Sequence, residues 1–261
     1  GRGSGNRLMG RVLATALEKF PGLRLAAISG GQFDNVICSR CDAVAALPTG
    51  SGAAFTAFIR EFDAALKNEY AVTDPGVTLT CTAAEAAKAV SAERTATLVQ
   101  ALAAMPQGVE AMDTDFPGLV QTSLNMGVVK LDGDGLHITF SIRSSIASRK
   151  LMLAQRVRAV AALAGGTVAE RGVYPGWQYK RESKFRDTLL AAYKDLTGKD
   201  GVVEATHGGL ECGLLMEKIL GLDAVSMGPE LHDVHSVRER LNVPSTERTY
   251  ELVCELLRRS C

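Results

Sequence analysis

Hydrophobic and polar positions along residues 1–174 repeat one order of secondary-structure elements twice. Apolar residues at helical spacing predict helices, and alternation of apolar and polar residues predicts strands. The first set of predicted elements is helix 5–20, strand 23–29, strand 36–47, helix 53–70 and strand 77–83. The second set is helix 93–105, strand 119–131, strand 136–144, helix 148–165 and strand 167–174. The pattern predicts a duplicated α+β unit, about 1–90 and 91–175, whose helices cover one face of an antiparallel sheet.

The order of elements changes after the sequence YPGW at residues 174–177. The remaining predicted elements are helix 185–198, strand 201–207, helix 210–219, strand 222–228 and helix 245–260, with Ser245 as the N-cap of the last helix. Alternation of strand and helix predicts a parallel, doubly wound sheet. Two strands are too few for an independent domain of this class. We therefore expect residues 176–261 to be the outer part of an α/β domain whose centre lies elsewhere.

Composition narrows the class of partner. The chain has 261 residues, enough for two domains, and it balances 29 basic with 29 acidic side chains. Without a basic run and with 5% aromatic residues, it is not expected to bind nucleic acid or an anionic membrane surface. No apolar run reaches the roughly 20 residues of a membrane span, and the first residues are too polar for a signal peptide. These features predict a cytoplasmic protein.

Six cysteines are spread along the chain, and we expect them to be reduced thiols. Cys38 and Cys41 form an isolated C-x-x-C, without the second pair of a zinc ribbon or the following helix of a thioredoxin motif. A structural role is therefore favoured over a metal or redox role.

Three of the four histidines lie in the stretch THGGLECGLLMEKILGLDAVSMGPELHDVHSVRERLNV, residues 206–243. His207 ends one predicted strand, and His232 and His235 follow the next. In an open α/β sheet, ligands bind beyond the carboxyl ends of the strands, so these side chains should face one crevice. A catalytic zinc needs about three protein ligands and an open position. Spacing alone leaves two alternatives open. The first is a zinc site that includes these histidines and Glu211, and the second is a set of ordinary surface histidines.

Four separated segments resemble one family. The stretch at residues 206–243, the upstream YPGW, the segment GGQFDNVICSRCDAV and the opening GRGSGNRLMGRVL are similar to the aminoacyl-histidine dipeptidase family of dinuclear zinc metallopeptidases. The match runs in the same order over the whole chain, and H-x-G-L-E-C-G is its most specific part. The resemblance implies a two-domain exopeptidase. Residues 1–175 would be its lid or dimerisation domain, enlarged by duplication, and residues 176–261 the C-terminal part of its catalytic domain.

The resemblance also implies roles for individual residues. His235 matches the last zinc ligand of the family, while Asn35 and Arg143 match lid residues that hold the substrate carboxylate or polarise its scissile carbonyl. An Arg offers a planar fork of donors to a carboxylate, and an Asn can donate to a developing oxyanion. His207 and Glu211, at a predicted helix start, are expected to line the substrate pocket. The alternatives are an exposed strand residue for Arg143, a turn former for Asn35 and a favourable first-turn charge for Glu211.

The chain also differs from the family pattern. Cys38 replaces a Pro after the Asn35 motif, and Val237 and Arg238 replace Pro-Asp after His235. The other zinc ligands, the paired glutamates with the general base, and the lid histidine would all lie before Gly1. We therefore expect a dipeptidase with two zinc ions that hydrolyses short dipeptides such as Xaa-His and forms a homodimer. This chain would supply at most one zinc ligand and be inactive without the missing N-terminal catalytic segment.

Two alternatives remain for the function. The chain could be a non-catalytic lid or dimerisation fragment or subunit. It could also belong to a sister peptidase or deacylase of the same superfamily that acts on a different substrate.

Overall fold

The computed structural model describes residues 2–85, 88–132, 135–207, 209–234 and 236–260. The chain divides into two compact units. The first, here called the sheet unit, comprises Gly1–Asp113 and Val120–Gly172, and the second, here called the C-terminal unit, comprises Thr114–Leu119 and Val173–Cys261. The assignment of residues 1–175 to a lid and of residues 176–261 to a catalytic domain stays a prediction.

The sheet unit is built from four helices and five strands in its described residues. They are α1 (Gly5–Lys19), β1 (Arg24–Gly30), β2 (Cys41–Ala46), α2 (Gly52–Glu69), α3 (Ala92–Ala104), β3 (Gly108–Met112), β4 (Val120–Asp132), β5 (Gly135–Ser144) and α4 (Ala147–Leu163). All the strands pair antiparallel in the order β2-β1-β4-β3, and β5 also pairs with β4. The two predicted repeats join into one sheet where Ser29 and Gly30 pair with Lys130 and Val129.

One face of this sheet carries the hydrophobic core. Leu124 and Met126 of β4 point into it, and after a register shift between Met126 and Val128 the next core residue is Val129. Because side chains alternate across a strand, Ser123 and Asn125 point to the opposite face. The core clusters join alternate strand residues to all four helices through Leu13, Val12, Phe58, Val99, Leu102, Leu153 and Val157. The helices therefore pack on the core face, as the sequence predicted.

Two predicted strands of the sheet unit are wrong. Residues 77–83 are not a strand, although their alternating burial follows the alternating sequence. Leu79 and Cys81 pack against the aromatic core beside α2, and the Leu79 N–H donates to the Asp63 carboxylate at 2.7 Å. The alternating pattern therefore results from packing of every second side chain beside α2. The Asp63 side chain accepts the hydrogen bond that a neighbouring strand would otherwise accept from Leu79.

Residues 167–174 also form no strand in the structure, and the backbone here is almost entirely exposed. The fifth strand is instead β3, which the sequence did not predict. It is short, mostly exposed and broken by two register shifts against β4, so it carries no alternating pattern. Residues 133 and 134 lie outside the described residues, and the strands predicted at 119–131 and 136–144 pair on either side of them, from Asp132 and Gly135 onward.

The C-terminal unit has three helices in its described part. Its elements are α5 (Lys184–Thr197), α6 (Glu211–Lys218), β6 (Leu231–His232), β7 (Arg240–Leu241) and α7 (Val243–Ser260). The strands predicted at 201–207 and 222–228 are wrong for this chain, since both segments lack a ladder with any described strand. A parallel strand exists only beside a neighbour that pairs with it. The described pairing in this unit is the two-residue hairpin of β6 and β7.

The start of α7 differs from the prediction for a local reason. Ser245 is not the N-cap but lies within the helix, and its N–H donates to the Asn242 side-chain oxygen at 3.1 Å. Asn242 therefore caps the helix, a role for which Asn is well suited. The Ser245 hydroxyl instead accepts from the Glu230 N–H at 2.9 Å, which ties the helix start to the segment before β6. Across the described ranges, no helix is both long and apolar enough to cross a membrane.

Candidate functional site

Asn35 lies in a loop, residues 31–36, that is pressed against β4. The loop begins at Gly31, which has a φ of +77°, and a Cβ atom on Gly31 would lie 1.8 Å from the carbonyl oxygen of Gly127. In the other direction, a Cβ atom on Gly127 would lie 2.4 Å from Cα of Asp34. The loop and the strand therefore touch backbone to backbone, and only glycine fits at either position.

Asn125 of β4 binds the same loop on both sides of Asn35. Its side-chain NH2 group donates to the carbonyl of Asp34 at 2.6 Å and to the carbonyl of Val36 at 2.8 Å. These two carbonyls flank Asn35, whose own side chain is exposed. The backbone of Asn35 is thus fixed while its amide remains accessible.

Arg143 lies on the same face of the sheet. In the β4–β5 pairing it is opposite Ser123, and Asn125 is opposite Ser141. The residues between them, Leu124 and Ile142, face the core. The Arg143 side chain is exposed, and within the described residues its guanidinium has no hydrogen-bond or ion-pair partner. Asn125 and Arg143 are diagonal neighbours on this ladder, and Asn125 binds the loop that carries Asn35, so the loop and Arg143 lie at one exposed face.

Asn6 connects the elements beneath this face and was not singled out from the sequence. It is fully buried, and its NH2 group donates to the carbonyls of Met126 at 3.0 Å and Gly127 at 3.2 Å. Its side-chain oxygen accepts from the Cys38 thiol at 3.3 Å. A polar residue on the apolar stripe of α1, four positions before Gly10, was the signal that could have revealed it.

Cys38 and Cys41 lie next to this connection. Burial raises the pKa of the Cys38 thiol, and burial followed by the negative charge of Cys38 and Asp42 raises the pKa of Cys41 to about 12. Thiols with raised pKa values are poor nucleophiles and poor metal ligands at neutral pH, because both roles need the thiolate. The pair therefore fits the structural role expected of it.

The YPGW segment and the start of α6 pack together in the C-terminal unit. A Cβ atom on Gly209 would lie 2.3 Å from Cδ1 of Tyr174, and one on Gly213 would lie 3.2 Å from the carbonyl oxygen of Gly176. Glu211 is the first residue of α6 and is exposed. Burial raises the pKa of Tyr174, and the Glu211 carboxylate adds to this rise. Two segments matched in the family resemblance are thus neighbours in space.

His207 is half-buried and lies two residues before Gly209. His207 and Glu211 therefore both lie at the N-terminal end of α6, as predicted, although their proposed contact with substrate stays a prediction. His235, the predicted zinc ligand, lies outside the described residues, between Val234 and Ser236. The part of the chain that the structure describes contains no group of three side chains that could hold a metal ion.

Comparison with known proteins gives three matches. The sequence family described as "Peptidase dimerisation domain" matches residues 3–74. The chain is 31% identical over 259 residues to the cytosol non-specific dipeptidase of Escherichia coli (strain K12), covering 99% of this chain and 53% of the relative. It matches the crystal structure of aminoacylhistidine dipeptidase from Vibrio alginolyticus with a TM-score of 0.90 and 29% identity, covering 99% of this chain and 53% of that one. The chain spans about half the length of both relatives.

These matches bear on the sequence predictions. The structural match and the matched dimerisation-domain family confirm the predicted fold class, while the division into a lid part and a catalytic part stays a prediction. The resemblance to the dipeptidase family is likewise confirmed. The roles of Asn35, Arg143, His207, Glu211 and His235 stay predictions.

Proposed function

We propose that this chain is a member of the aminoacyl-histidine dipeptidase family, to which its matches point, and that it forms the lid and part of the catalytic domain of a cytoplasmic, zinc-dependent dipeptidase. The observation that carries the proposal is the common face of Asn35 and Arg143. Both side chains are exposed, and the Asn35 backbone is fixed by Asn125. The relatives are named for hydrolysis of dipeptides, and this face offers the donors that a dipeptide requires.

A dipeptide presents a free carboxylate and one scissile carbonyl close to it. The Arg143 guanidinium would bind the carboxylate through two parallel N–H donors. The Asn35 amide would donate to the carbonyl oxygen as negative charge develops on it. Because Arg143 lies on a strand and Asn35 on a clamped loop, the separation between these donors is set by the fold. Such preorganisation favours one length of substrate.

Zinc ligation is proposed for the complete protein and not for this chain alone. A catalytic zinc needs about three protein ligands, and the described residues, which do not include His235, contain no group of three side chains that could hold a metal ion. We propose that His235 is one ligand and that the other ligands and the general base come from the rest of the protein. His207 and Glu211, at the start of α6, would line the substrate pocket.

A second function is supported by one specific observation. The family match over residues 3–74 is described as a dimerisation domain. The sheet unit would then form a homodimer, in addition to contributing to the site. A purely structural subunit would dimerise without contributing to substrate binding.

Substitution of the two donors tests the proposal. In the complete gene product, Arg143→Ala and Asn35→Ala should each lower kcat/KM for dipeptides while zinc content stays unchanged, because both touch the substrate and not the metal. A loss of about ten- to a hundredfold is expected for a hydrogen bond to a charged group. The matched control is Lys130→Ala, an exposed charge on β4. Unchanged kinetics in both variants would favour the non-catalytic subunit.

A further inference from the structure

The loop that carries Asn35 is not held in place by burial of its own side chains. Phe33, Val36 and Ile37 are 63%, 54% and 47% exposed. Burial of apolar side chains is the usual source of loop stability, and here most of that surface remains in contact with solvent. The position of Asn35 must therefore depend on contacts of the loop backbone.

Several backbone contacts hold the described loop. Gly31 lies against Gly127 at the start of the loop, and the Cys38 carbonyl accepts from the Gly5 N–H at 2.7 Å after its end. Between these anchors, the carbonyls of Asp34 and Val36 both accept from Asn125. These two bonds are the nearest to Asn35, and both come from one side chain. Asp34 also lies against Gly127, but this is a contact without a hydrogen bond. Loss of Asn125 would therefore remove the two hydrogen bonds that tie the backbone on either side of Asn35 to β4.

We propose that Asn125 is a positioning residue for substrate binding, which fixes the Asn35 amide at a set distance from the Arg143 guanidinium. This inference rests on the proposed function of Asn35. Asn125 lies on the same sheet face as Arg143. The cross-strand partner of Arg143 is Ser123, which is two residues before Asn125 on β4. One side chain thus connects the loop to the strand pair that carries Arg143. A side-chain amide suits this task because its two N–H donors can bind two carbonyls at once.

The variant Asn125→Leu removes both donors with little change in volume and adds no charge beside Arg143. In the complete gene product we expect it to raise KM for a dipeptide such as alanyl-histidine by about ten- to a hundredfold, since two hydrogen bonds are lost. Amide hydrogen exchange of residues 32–37 should become faster, while zinc content is unchanged. The variant Asn125→Gln keeps the donors on a longer side chain and should recover part of the loss. Ser141→Ala, opposite Asn125 on the same face, is the matched control.

The double variant Asn35→Ala with Asn125→Leu separates positioning from general damage. If Asn125 acts through Asn35, the double variant should have the same kcat/KM as Asn35→Ala alone, because the second change has nothing left to misplace. Losses that multiply would overturn the inference. Unchanged hydrogen exchange of the loop in Asn125→Leu would also overturn it. If exchange becomes faster but Asn35→Ala has full activity, the proposed function of Asn35 is wrong, and a role in substrate positioning is excluded with it.

Discussion

Gly209 lies directly against the ring of Tyr174. A Cβ atom at position 209 would be 2.3 Å from Cδ1 of that ring and 2.7 Å from Cε1. Gly213, one helical turn further on, faces the carbonyls of Pro175 and Gly176. The glycines of GGLECG therefore form the surface on which YPGW packs, so the two sequence segments make one structural feature at the start of α6.

This contact predicts that Gly209→Ala destabilises the C-terminal unit. The added methyl group would overlap the Tyr174 ring, and moving the ring or the backbone should cost about 1–3 kcal/mol of the free energy of unfolding. Urea denaturation measures the loss. The control is Gly228→Ala in the same unit, where a Cβ atom would meet nothing within 4 Å. Equal stability of the two variants would mean that Tyr174 does not pack against position 209.

The helices of the sheet unit could be predicted from the sequence because each has apolar residues that pack against the core. The bounds of α1 to α4 agree with the predicted ranges within two residues. The pairing of strands was harder to predict from the sequence. Residues 77–83 alternate because they pack beside α2, whereas β3 pairs without alternating. A strand is defined by its partner, and periodicity describes only which faces are buried.

The candidate site shows the same division. Asn35 and Arg143 were found only through the family resemblance, since an exposed Asn in a turn and an exposed Arg on a strand carry no local signal. Asn125 was missed because its polar side chain fits the outward face of an ordinary two-sided strand. Its two hydrogen bonds reach a loop about 90 residues earlier in the chain, and one sequence gives no sign of that contact.

Asn6 provides a second prediction on stability. Its NH2 group binds the carbonyls of Met126 and Gly127 in a fully buried position. Asn6→Ala would leave both carbonyls without this donor and should lower the free energy of unfolding by about 2–4 kcal/mol. Asn68→Ala, an exposed position on α2, serves as the control in the same urea experiment. A loss below that of the control would show that water replaces the amide without penalty.

Cys41 predicts a specific loss of stability at alkaline pH. Its pKa is raised from 9.0 to about 12 in the folded protein, first by burial and then by the charges of Cys38 and Asp42. Above pH 9 the unfolded chain loses this proton while the folded chain keeps it. The free energy of unfolding should therefore decrease as pH rises from about 9 to about 12, by at most about 1.4 kcal/mol per pH unit for one thiol.

Other groups titrate in this range, so the measurement is the difference between the wild type and Cys41→Ala. Urea denaturation of both proteins at several values from pH 8 to pH 11 should show a steeper decline for the wild type. Parallel curves would mean that Cys41 ionises equally readily in the folded and unfolded chains.

The last prediction concerns the histidines that follow α6 in the complete gene product. If His235 is a zinc ligand, His235→Ala should remove most dipeptidase activity and lower the bound zinc, because a zinc site depends on each of its few protein ligands. His232 is the internal control. It lies three residues earlier, is exposed on β6 and pairs with Arg240 across the hairpin. His232→Ala should change activity and zinc content little. Metal analysis after dialysis, with dipeptide kinetics on the same samples, distinguishes the two. Loss of zinc from His232→Ala but not from His235→Ala would show that the family motif is misaligned in this loop, and the assignment of His235 would then be wrong.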